Sequence, residues 1–214
     1  MGNLIDCVTA LLLITDLMLL GSSFLSSCIR IVALQGVAVG LLPLLMHEGG
    51  PLWRPALLSI ALMSLKGGVF PLVLSRVMRE ANVRREVEPF VGTTLSIIFG
   101  VMALVLSMWF ASRLHLSVMI PETLMIPSGL ATMFIGLFVI VSRRKALTQV
   151  LGYIVMENGI YALGVALAGG IPFLVELGVL LDAFVAVFIM SIAAYHINRE
   201  FDHLDVDQLN SLKD

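Results

Sequence analysis

Apolar runs, each close to the roughly 20 residues that a helix needs to cross the hydrocarbon core of a bilayer, follow one another along the whole chain. They lie near residues 4–20, 28–46, 55–77, 90–110, 121–141, 146–168 and 172–197. No polar stretch between them is long enough for a soluble domain. In lipid every backbone N–H and C=O must be satisfied within the span, so runs of this length are helices. The sequence therefore predicts an all-α polytopic membrane protein with about seven transmembrane helices. Charge usage agrees: 13% of residues are Asp, Glu, Lys or Arg, against roughly 25% in soluble domains. The short gap between the first two runs also admits a re-entrant pair.

The loops are strongly asymmetric in charge. Arg30 lies by the loop between the first two spans, at the start of the second, Arg76, Arg79, Arg84 and Arg85 near the third loop, and Arg143, Arg144 and Lys145 in the fifth. Arg199 and Lys213 follow the last span, and only Arg54 and Arg113 fall on the other side. Basic loops stay cytoplasmic, so the expected N-terminus is outside and the C-terminus cytoplasmic. An odd number of spans requires the same. The first run carries Asp6 and Asp16 with no Lys or Arg before Arg30, so it is expected to be a retained helix rather than a signal peptide. Cys7 and Cys28, the two cysteines, sit in apolar runs and are expected to be buried thiols. No basic cluster is interleaved with aromatics, so a nucleic acid partner is not expected.

Against this background a few polar side chains stand out. Glu157 lies near the middle of the sixth span; Tyr153, Glu157 and Tyr161 share one helix face by their i, i+4, i+8 spacing, and Asn158 follows directly. A mid-bilayer carboxylate costs about 2.5–3.5 kcal/mol on insertion scales, so it pairs, neutralises or handles charge. Lys66 has about eleven residues of span on either side, roughly 16 Å at 1.5 Å per residue, too far to snorkel. Gly67, Gly68 and Pro71 follow it, and Pro71 offers no N–H to the Gly67 carbonyl, which predicts a broken helix there. Asp182 lies near mid-depth of the seventh span. Glu176 and Asp16 lie about a turn from a membrane surface and are expected to be interfacial. Gln35, beside the close-packing spacing Gly36-x-x-x-Gly40, is expected to be interhelical glue. Lys66, Glu157 and Asp182 form a row on three helices that could be a proton relay or a set of structural pairs. No P-loop, GxGxxG, CxxC, HExxH or GxSxG motif occurs, and neither Cys clusters nor paired membrane histidines suggest a redox cofactor; no cofactor and no active site are expected.

RRKALTQVLGYIVMENGIYAL, followed by FLVELGVLLDAFVAVFIMSIAAYHINREFDHLDVDQL, resembles hydrogenase-4 component E, over what looks like the whole chain. That family is similar to the K subunit of complex I and the C subunit of Mrp-type antiporters. The K-subunit pattern spans about residues 126–214: three helices, a basic first loop, a mid-helix acid, a second acid, and the tail element Leu204-Asp205-Val206-Asp207. The resemblance divides the chain into helices one to four (1–125), a K-like three-helix unit (126–200) and a cytoplasmic polar tail (201–214). It implies a bacterial or archaeal inner-membrane subunit of a complex-I-like, NiFe-hydrogenase-type assembly that translocates protons or sodium. Antiporter-like subunits and a quinone- or hydrogenase-anchoring subunit would be its partners. It implies a proton-path role for Glu157 and Asp182, with Glu176 as the alternative acid; no such role transfers to Lys66. Helices one to three also repeat the outline of helices five to seven, Gln35 standing for Glu157 and Lys66 for Asp182, as in a degenerate duplication.

Overall fold

The computed structural model describes residues 2–47, 51–80, 91–113, 124–143 and 145–168. The seventh run, with Glu176 and Asp182, and the tail lie outside the described residues. Eight α-helices are present among those described: α1 (Gly2–Gly21), α2 (Leu25–Gly40), the single turn α3 (Leu42–Leu45), α4 (Trp53–Ser64), α5 (Phe70–Glu80), α6 (Thr93–Arg113), α7 (Met125–Ser142) and α8 (Ala146–Ala168). They make six helices long and apolar enough to cross a membrane: Leu4–Gly21, Leu25–Leu45, Trp53–Arg79, Thr93–Arg113, Met125–Ser142 and Ala146–Leu167. These match the first six expected runs.

The third span is continuous but irregular. Between α4 and α5 the backbone forms one π-helical turn, Leu65–Val69, and the N–H of Phe70 bonds the carbonyl of Leu65 five residues back. Two glycines lower the barrier to an unusual turn, and Pro71 removes the donor that an α-helical turn would present to Gly67. The expected break is thus a widened turn rather than an interruption.

Glycines set the closest helix contacts. On α2, a Cβ at Gly36 would stand 2.7 Å from the Lys66 Cβ, and one at Gly40 would stand 2.9 Å from the Met63 nitrogen. The Gly36-x-x-x-Gly40 face therefore seats the third span, as its spacing suggested. The α7–α8 pair is tighter still. Gly129 and Gly136 on α7 and Gly152 and Gly159 on α8 meet backbone with backbone, so that an added Cβ at Gly136 would collide with the main chain of Met156, and one at Gly159 with that of Met133. The seven-residue spacing puts each pair of glycines on one helix face, two turns apart.

α6 packs on α1 and α7 through a stripe of small residues, Ser96, Gly100, Ala103 and Ser107, with Phe99 stacked on Phe138 at 4.1 Å. Its other side, from Leu95 to Phe110, is exposed and apolar, the character of a lipid-facing surface. Cys28 is buried, whereas Cys7 is exposed on the apolar flank of α1, contrary to expectation. An apolar run predicts residence in lipid, not which side of the helix meets protein. The two tryptophans lie at one end of the bundle, Trp53 under Arg54 at the start of α4 and Trp109 under Arg113 at the end of α6, as interfacial aromatics do.

Candidate functional site

Among the described residues two apolar clusters pack the helices together, and every packed span except α6 contributes to both. One holds Leu19 and Leu20 of α1, Ile29 and Val32 of α2, Phe70 and Leu74 of α5, Val139 of α7 and Leu151 of α8. The other holds Val8 and Leu12, Ala38 and Val39, Leu62, Met125, and Ala162 and Val165 of the same spans. Between them, on each span in turn, lie Thr15 and Asp16, Gln35, Lys66, Thr132, and Glu157 and Asn158, all buried. The polar side chains thus form one layer across the middle of the bundle, closed on both sides by hydrocarbon.

Within the layer the hydrogen bonds are continuous. The Lys66 ammonium donates to Glu157 Oε1 at 2.7 Å and to Asn158 Oδ1 at 3.1 Å. Asn158 Nδ2 donates to Gln35 Oε1 at 3.3 Å. Gln35 Nε2 donates to Asp16 Oδ1 at 2.8 Å and to Thr15 Oγ1 at 3.3 Å. Thr132 Oγ1 donates to Asp16 Oδ2 at 2.6 Å, and Thr15 turns its own hydroxyl back on the carbonyls of Leu11 and Leu12. The Tyr161 ring flanks the ammonium, its centroid 5.4 Å from Nζ. Lys66 and Glu157 are each 1% exposed, so their attraction is little screened and neither can exchange its partner for water. Lys66 lies within the π turn, and Gly36 leaves room for its stem to pass against α2.

The structure brings together Lys66, Glu157, Asn158, Tyr161 and Gln35, all singled out from the sequence. Tyr153 is partly buried against the first apolar cluster, one turn from the layer. Gln35 is glue as expected, bridging α1 and α8. Asp16 is a correction: it is fully buried and bonded from α2 and α7 rather than interfacial. Position along a helix fixes depth, but the side that faces the bundle decides burial, and Asp16 faces inward. Thr15 and Thr132 were not singled out; a neutral hydroxyl in an apolar helix usually bonds its own backbone and carries no sequence signal.

The descriptive family that matches is NADH-ubiquinone/plastoquinone oxidoreductase chain 4L, over residues 124–214. The 4L region therefore supplies α7 and α8, with Thr132, Glu157 and Asn158, while Asp16, Gln35 and Lys66 come from outside it. Hydrogenase-4 component E of Escherichia coli K12 is 42% identical over 85 residues, covering 40% of this chain and 39% of that protein; the Shigella flexneri protein of the same name gives the same figures. The resemblance to component E is thus carried by well under half of either chain, not by the whole chain as the sequence suggested. An uncharacterized protein of Mycobacterium tuberculosis is 29% identical over 213 residues, 99% of this chain and 96% of its own length. No solved structure matches the chain.

Proposed function

We propose that this chain is a non-catalytic membrane-arm subunit of a complex-I-like, NiFe-hydrogenase-type respiratory assembly, and that its buried layer carries protons along the arm, with sodium as the alternative ion. The single observation behind this is the Lys66–Glu157 pair, held at 2.7 Å inside a polar layer that hydrocarbon seals on both sides. A proton placed on Glu157 weakens its hold on the ammonium, which keeps Asn158 as its second acceptor. A proton leaving Glu157 draws the ammonium back. The pair can therefore alternate between two charge states with little movement. Amides do not pass protons as hydroxyls or carboxylates do, so Asn158 and Gln35 transmit charge state rather than the proton itself. Asp182, and Glu176 as the alternative, would continue the relay from the seventh run, outside the described residues.

The 4L similarity and the relation to component E support membership of such an assembly. Partners would be antiporter-like membrane subunits and a subunit anchoring the hydrogenase or quinone module. The chain would lie in the bacterial or archaeal inner membrane with its N-terminus outside. Residues 1–125 would act as a scaffold that delivers Lys66 to the unit at 126–200, and the tail at 201–214 would dock on the cytoplasmic side.

The second reading, a purely structural bridge between the anchoring subunit and a pump, is favoured by the completeness of the pair: a buried ammonium and carboxylate in contact also hold helices together. Glu157→Gln separates the two. Gln keeps size and hydrogen bonding but cannot ionise. Pumping per turnover by the intact complex in vesicles should collapse while assembly and redox turnover persist; unchanged pumping would establish the structural bridge instead.

A further inference from the structure

The α1 end of the layer holds a carboxylate to which nothing above assigns a role. Asp16 is fully buried, and its two oxygens are met by neutral donors, the Gln35 amide and the Thr132 hydroxyl. Among the described elements, α2, α3, α6 and α7 pack on α1. Among their described residues, α3 has no titratable side chain, Arg30 of α2 is exposed, and α6 turns Ser96 and Ser107 inward. Arg113 ends α6 on an exposed surface, and Arg143 follows α7 eleven residues beyond Thr132, roughly 16 Å along that helix. Among the described residues the nearest cation along the hydrogen bonds is Lys66, two amides away, and it lies directly against Glu157 and the Tyr161 ring.

We infer that Asp16 is a second proton-binding carboxylate, electrostatically coupled to Lys66 through the aligned amides of Gln35 and Asn158. The alignment follows from both ends. An ammonium can only donate, so Asn158 must offer it Oδ1 and turn Nδ2 to Gln35; a carboxylate can only accept, so Gln35 must offer it Nε2 and turn Oε1 to Asn158. Both requirements select the observed orientation, so each amide dipole reinforces the next. The geometry also accommodates the added proton. With Asp16 ionised, Thr132 donates to Oδ2. With Oδ2 protonated, its O–H donates to Thr132 Oγ1, and the threonine hydroxyl turns to the carbonyl of Ser128, four residues back on α7, an acceptor commonly used by helical threonine. Gln35 keeps its bond to Oδ1 in both states. One hydroxyl rotation is the whole adjustment, and no unsatisfied group is created.

As a station on the arm, Asp16 rests on the proton-carrying role proposed above; as a proton-binding site it does not. The test therefore reads protonation without pumping. Infrared difference spectra of the assembled complex in membranes, titrated with pH, should contain a carboxylic-acid C=O band that is missing in Asp16→Asn. The band should shift in frequency in Thr132→Val and stay in Thr132→Ser, which keeps the hydroxyl. Lys66→Met should raise the midpoint of that band by about one pH unit, since a cation favours the ionised acid, and should fail to do so when Gln35 is also replaced by Leu. A band absent from the wild type, or unmoved by Thr132→Val, would overturn the proton site; a Lys66→Met shift that survives Gln35→Leu would overturn the amide coupling. Should Asp16→Asn not assemble, the two Thr132 variants alone decide the first point. Loss of the band with unchanged pumping would refute Asp16 as a station and leave the Glu157 relay standing.

Discussion

Lys66 is the side chain whose removal should be felt most. Its ammonium holds Glu157 and Asn158 at once, and a methionine would fill its space while leaving a buried carboxylate without that cation. Breaking a buried pair from one side typically costs about 3–5 kcal/mol, whereas replacing both partners by apolar side chains is often near neutral. Lys66→Met should therefore sharply lower the abundance and melting temperature of the assembled complex, and Lys66→Met with Glu157→Leu should recover most of the loss while abolishing pumping; recovery of neither would mean that the pair is not what holds the third span to α8. Both charges were legible in the sequence because each interrupts an apolar run, the one place where a single charge is informative. Their partnership was not: the two residues are 91 positions apart, and helix spacing says nothing about which spans adjoin. Asp16 was visible but misassigned, because counting residues to a membrane surface measures depth and not facing.

At the level of helices, the glycines divide into those that set contacts and those that permit a bend. Gly36→Ala would drive a methyl group into the Lys66 stem, whereas a Cβ at Gly68 meets nothing within 4 Å. Gly36→Ala is expected to destabilise by about 1–3 kcal/mol, as overpacking does, and to displace the Lys66–Glu157 contact; Gly68→Ala should be tolerated. Thermal unfolding of the two variants side by side checks this, and equal stability would mean that α2 yields freely to the third span. Gly136→Ala and Gly159→Ala meet main chain rather than flexible side chains, so they should separate α7 from α8 and reduce assembly more than Gly36→Ala does. The first six spans were legible from length and hydropathy alone, and Gly67-Gly68-x-x-Pro71 announced an irregularity. The π turn itself was not legible, since glycine and proline permit a widened turn, a kink or a break alike. The α7–α8 glycine contacts were not legible for a related reason. Their seven-residue spacing within each helix becomes meaningful only once the two helices are known to face each other.

For the bundle as a whole, the proposed orientation can be checked directly. With Cys7 and Cys28 replaced by Ser, an impermeant thiol reagent applied to intact cells should label Arg54→Cys and spare Ser23→Cys, which lies in the turn between α1 and α2; the reverse pattern would invert the topology. The exposed apolar side of α6, opposite its small-residue stripe, accounts for a span that contributes nothing polar to the layer. The layer itself has an electrical consequence. Carrying one elementary charge fully across a membrane involves about 2.3 kcal/mol for each 100 mV of potential. A charge moving from helix to helix at constant depth crosses almost none of that field. If protons travel through this layer as proposed, their passage is electrically silent, and the work against the membrane voltage is done wherever they are taken up and released. A transmembrane voltage should then alter the overall rate of pumping while leaving the rate of transfer through Glu157 unchanged.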